Sequence, residues 1–137
     1  MALATVSQIH AALATKLATI SGLRTSSYEP AVLNTPVAWP WLTSMQYHAA
    51  MGVGLIEYGF TVSVVVARLD ARTGQASIDG YASPTGASSV RVALETDRTL
   101  GGVVDDCLVV SFDGTQILQN NGAEYISALF AVTVYDS

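Results

Sequence analysis

Between residues 56 and 69 the side chains alternate with a period of two. Tyr58, Phe60, Val62, Val64 and Val66 fall on one side, and Gly59, Thr61, Ser63 and Val65 on the other. Only extended backbone puts every second residue on one face, so this run specifies a long strand with one buried side. Residues 124–135 repeat the pattern, with Ile126, Ala128, Phe130, Val132 and Val134 set against Tyr125, Ser127, Leu129, Ala131, Thr133 and Tyr135. Both faces of this second run are apolar, which suits a central strand or one covered by a neighbouring subunit. Strands of this kind need a second layer to cover their apolar side.

The opening of the chain supplies one. Leu3, Val6, Ile9, Leu13, Leu17 and Ile20 recur at spacings of three and four, which places them on one stripe of an α-helix with alanine between them. Gly22 follows as a left-handed helix ending, with Leu23 making the apolar contact of a Schellman motif. His10 lies beside the stripe and is expected to be partly exposed. Further along, Asp70 offers an N-cap to a helix running toward Tyr81, with Ala76, Ile78 and Tyr81 inward, although Gly74 and Gly80 work against it. After the turn Ser83-Pro84-Thr85-Gly86, a short helix begins near Ser88 or Ser89 and carries Val90, Val92, Ala93 and Leu94 until Leu100-Gly101-Gly102 stops it.

The remaining segments read as strands and connections. Residues 28–42 are rich in Val, Leu and Trp but contain Pro36 and Pro40, so a strand there belongs at an edge, is short, or is bulged. Residues 43–57 have no clear period and read as a long connection carrying Met45, Tyr47, His48 and Met51. Residues 103–112 form a strand, with Asp113-Gly114 and Asn121-Gly122 as hairpin-type turns. The expected fold is one α+β domain, a mainly antiparallel or mixed sheet with helices packed on one face.

Composition narrows what such a domain can do. Of the 137 residues half are hydrophobic and only 12% charged, with a formal net charge of −5. The six cations, Lys16, Arg24, Arg68, Arg72, Arg91 and Arg98, are far apart, so no basic stripe exists to grip a phosphate backbone. So little charge leaves much uncharged surface, which a second copy or a partner can cover. A single cysteine, Cys107, excludes an internal disulfide framework and is expected to sit buried as a small hydrophobe. The N-terminus does not read as a signal peptide, and no uncharged stretch reaches the ~20 residues of a membrane span, so synthesis in the cytoplasm is expected.

Catalytic patterns are missing. His10 and His48 are the only histidines, and no serine sits in a G-x-S-x-G elbow. Asp105, Asp106 and Asp113 lack the alternate-position spacing of a calcium loop and read as turn carboxylates. Gly52-Val53-Gly54 precedes a strand where a dinucleotide fingerprint must follow one. Trp39, Trp41, Tyr47, Tyr58 and Phe60 have no Lys or Arg among them, which favours core or protein interface over base stacking. No catalytic residue, cofactor site or metal site is expected.

Taken in order, several segments resemble the tail terminators and related head-tail joining proteins of long-tailed, siphovirus-type bacteriophages, of the kind common among phages of actinobacteria. The resemblance runs through Ile20-Ser21-Gly22-Leu23-Arg24, the proline-interrupted stretch from Pro30 to Pro40, and the strand from Tyr58 to Arg68. It continues through residues 81–90, then Ala93-Leu94-Glu95-Thr96-Asp97 before Leu100-Gly101-Gly102. It covers most of the chain and contains no catalytic motif. It implies a virion neck protein that closes into a six-membered homo-oligomeric ring on the tail tube protein, stops tube growth and presents a face to the head-completion or connector protein. DNA would pass through the lumen ungripped, as suits an acidic wall.

The candidate interface residues are Trp39, Trp41, Tyr47, His48, Met51 and Tyr58, together with exposed sheet edges. Alternatives are another joining or tube protein, and, from a different class, a small-molecule-binding or hydrolytic α+β domain using His48 in an aromatic pocket.

Overall fold

The computed structural model describes residues 5–30, 35–47, 55–68, 73–120 and 122–136. In chain order the elements are α1 (Val6–Leu17), β1 (Arg24–Thr25), β2 (Val37–Gln46), β3 (Ile56–Arg68), α2 (Thr73–Ala82), α3 (Val90–Glu95), β4 (Asp106–Asn120) and β5 (Ala123–Asp136). The five strands form one sheet in the order β1-β2-β3-β5-β4, with only the β1–β2 pair parallel. The fold is α+β, a mixed sheet with three helices.

Register explains why β3 and β5 dominate. Tyr58 pairs with Val134, Phe60 with Val132, Val62 with Phe130 and Val64 with Ala128, and all eight side chains enter one cluster. From the helices, Ile9, Leu13, Leu17, Ile78, Tyr81, Val90 and Leu94 complete that cluster. The alternating face of each long strand is thus the floor of the core, and the helices form its lid.

Helix α1 starts on a capping box in which the Thr5 hydroxyl accepts from the Gln8 amide while the Gln8 side chain accepts from the Thr5 amide. It ends at Leu17, earlier than the apolar stripe suggested. Thr19 and Ile20 donate three residues back, to Lys16 and Leu17, and Leu23 then donates to Ile20 across a separate turn. Gly22 takes its positive φ of 81° in that turn and is not the helix ending. His10 is buried, not partly exposed. Its ring stacks on Tyr28 at 4.5 Å, meets Phe60 edge-on, and its Nδ1 donates to the Ser27 carbonyl at 2.8 Å. The histidine thereby clasps the segment after β1 onto the helix.

Other departures have local causes. Residues 43–46 belong to β2, which continues through a bulge at Thr43, so the connection to β3 is shorter than the sequence suggested. Helix α2 forms over Thr73–Ala82 with Ile78 and Tyr81 buried, despite its glycines, because it rests on β3 and β5; Asp70 lies outside the described residues. Helix α3 is capped by Ser89, and Val92 faces outward at 39% exposure. Asp113-Gly114 is no turn. Gly114, at φ 101°, sits beside a bulge at Asp113 and β4 runs on to Asn120, where it pairs with Ala123; of the expected turn at Asn121-Gly122, Asn121 lies outside the described residues and Gly122 has a φ of 78°.

Between α3 and β4, Arg98 donates to both carboxylate oxygens of Asp106 at 2.7 and 2.6 Å. That hydrogen-bonded pair holds the Asp106 carboxyl below the usual carboxylate range. A lowered folded-state value gives stability that is complete above the ordinary carboxylate value and disappears as the pH falls through the folded one. Denaturation of the wild type and of Asp106→Asn should therefore differ at neutral pH, with the gap closing as the pH drops below about 4.

Candidate assembly surface

The side of the sheet away from the helices is built from the other half of each alternation. Three successive rows cross it: Ser44, Gly59, Thr133, Leu108; then Trp41, Thr61, Ala131, Ser111; then Trp39, Ser63, Leu129, Gly114. None of these twelve positions carries a charge. Most side chains are small or hydroxylated, so the face is flat. A small second cluster of Val37, Trp39 and Val65, with Leu118 and Tyr125 against it, anchors one end. At the other end the Tyr135 hydroxyl donates to Glu57 at 3.0 Å.

Within this surface the two tryptophans of β2 have different fates. Trp39 is 3% exposed because Val37 and Val65 flank it, whereas Trp41, one row on, has only Thr61 and Ala131 beside it and is 55% exposed. Strand β1 covers the outer side of β2 only at Val37 and Ala38, so among the described residues no strand shelters the far end of β2. Tyr47, just past that strand, is 61% exposed. Gly59 matches this geometry: a Cβ there would fall on the Ser44 hydroxyl, and the Thr43 hydroxyl donates to the Gly59 carbonyl at 2.9 Å. The bulge at Thr43 therefore folds over a strand residue that has no side chain to obstruct it.

Of the candidate interface residues, the structure brings Trp41 and Tyr47 to the surface at one end of the sheet. Trp39 lies in the second cluster, and Tyr58, at 2% exposure, lies in the main core, where burial raises its phenol above the ordinary value. Their rings are already covered within the monomer. His48 and Met51 lie outside the described residues. Sequence reading placed Val110 and Phe112 in a strand without marking them as surface, and it missed Ile117 because the turn expected at Asp113-Gly114 ended that strand too soon. Val110, Phe112 and Ile117 are 62, 42 and 55% exposed.

Chemistry has little foothold elsewhere. A shallow groove of about 200 Å³ lies between α2, α3 and β4, bordered by Tyr81, Pro84, Arg91, Val110, Phe112 and Phe130. Its lining includes no histidine or carboxylate, and Arg91 is paired with Glu95. Among the described residues no group of three His, Cys, Asp or Glu could hold a metal. Asp105 and Asp106 precede or open β4 and Asp113 sits in its bulge, so they are not grouped on one loop. No described helix is long and apolar enough to cross a membrane. Cys107 is fully buried, and that burial pushes its thiol up to about 12.

No protein-family model matches the chain, and no curated protein matches it at a significant level.

Two outcomes check this surface. Replacing buried Trp39 by alanine should cost about 3–5 kcal/mol in denaturant unfolding, while Trp41→Ala should stay within about 0.5 kcal/mol of wild type. The Cys107 thiol should resist a thiol reagent at neutral pH in the native protein and react fully once denaturant is added.

Proposed function

We propose that the chain is a structural protein of a long-tailed bacteriophage, a tail terminator that forms a homo-oligomeric ring, caps the tail tube and joins it to the head connector. The observation that carries the reading is the helix-free sheet face, uncharged over three rows and ending in the exposed Trp41 and Tyr47. Isolated exposed apolar residues are ordinary, but large aromatics bordering a flat uncharged face fit a surface designed to be covered.

A ring needs two different patches that meet head to tail around a closing rotation. The Trp41–Tyr47 end of the sheet supplies one. The groove bordered by Tyr81, Pro84 and Phe112 lies on the other side of the molecule and supplies the second. The sheet face, without a cation in its three central rows, suits a wall past which DNA slides without adhering. Nothing in this chemistry calls for catalysis or a cofactor.

A neighbouring role, as a tube protein or another head-tail joining component, uses the same patches with a different partner. The hydrolytic alternative rests on His48, which lies outside the described residues.

Negative-stain electron microscopy of the pure protein tests the reading. Annular particles, alone or after mixing with tail tubes, are the expected result, and Trp41→Asp should abolish them without unfolding the monomer. Protein that forms no rings and leaves tube ends bare would overturn the assignment.

A further inference from the structure

The open edges of the sheet are β4 on one side and, beyond the two-residue β1, the rest of β2 on the other, and every stretch of them but one is blunted. On the β2 side, β1 covers Val37 and Ala38, Pro40 has no N–H to offer, and the bulge at Thr43 interrupts the remainder. On the β4 side, Arg98 holds Asp106, the Glu95 carboxylate accepts the Val109 amide at 2.9 Å, and bulges at Val110 and Asp113 break the line of the strand. Among the described residues, 115–120 have no such protection: they pair regularly with β5 on one side and have no described strand on the other, and residues 114–120 include no charged side chain.

We propose that residues 115–120 of β4 dock against the same residues of a second copy of this chain, the two strands pairing antiparallel across a two-fold axis near Ile117. In an antiparallel pair with its two-fold at Ile117, Ile117 faces its own symmetry mate, Gln116 faces Leu118 and Thr115 faces Gln119, and like charges at such cross-strand positions destabilise a sheet. This stretch has none. Ile117 is 55% exposed although its cross-strand partner Ile126 packs on the core, and the two-fold brings the exposed isoleucines of both copies together on the helix side. Pairing with the blunted β2 edge of another copy would meet Pro40 and the Thr43 bulge, so a second β4 is the complementary edge this chain provides. The product is a continuous ten-stranded sheet, twice the five strands of one copy, with the helices of both copies on the same side. This contact lies across the sheet from Trp41 and stands independently of the ring reading.

The test uses the intact protein in solution. Mass by light scattering should give an even number of chains for the wild type, and Ile117→Lys should halve it while leaving the thermal unfolding profile in place. Ile117→Cys should form a covalent dimer under mild oxidation, which the wild type, with Cys107 buried, should not. A monomeric wild type, an unchanged mass for the folded Ile117→Lys variant, or an Ile117→Cys protein that stays uncross-linked would each overturn the proposal. A partner strand from a different protein would show as the first of these. Annular particles that fail to cross-link would sink this contact alone, and cross-linked dimers without annuli would sink the ring alone.

Discussion

The structure depends on one packing event, the closure of α1, α2 and α3 over the shared face of β3 and β5. Eight side chains from four cross-strand pairs make the floor, and the apolar stripe of α1 meets it through Ile9, Leu13 and Leu17. Buried apolar area is the dominant favourable term in folding, and here most of it lies at this single contact. Each remaining feature is placed by it. Once β3 and β5 are fixed with one face inward, the pleat aims Thr61, Ser63, Leu129 and Ala131 outward onto the uncharged side.

How much could be read beforehand follows from how local each signal is. The two long strands and their inward faces were legible because a period of two needs no partner to be recognised. The start of α3 near Ser88 or Ser89 was equally plain, and Ser89 is its cap. What escaped reading was set by neighbours. His10 is buried because Tyr28 folds back over it, an arrangement between residues 18 positions apart that no periodicity reports. Asp113-Gly114 has the composition of a turn, but the same left-handed glycine serves equally well beside a bulge, and β5 is long enough to keep pairing past it.

The candidate surface divides in the same way. Trp39 and Trp41 share a strand, a face and nearly a sequence context, yet one is covered and one is bare. The difference comes from the height of the residues across the ladder, which pairing register decides. Composition foretold that uncharged surface would exist. It could not say that the surface would collect on one sheet face and along the end of β4.

Strand order has a consequence for how such a molecule comes into being. β3 and β4 are not neighbours in the sheet, and β5, made after both, is the strand that pairs with each. Until residues 123–136 have left the ribosome the sheet exists as separate parts with their greasy sides open to water. Late closure by a strand inserted between two earlier ones means distant pairings and slow folding. Where many nascent copies are made together, the interval before that insertion is when wrong partners are nearest.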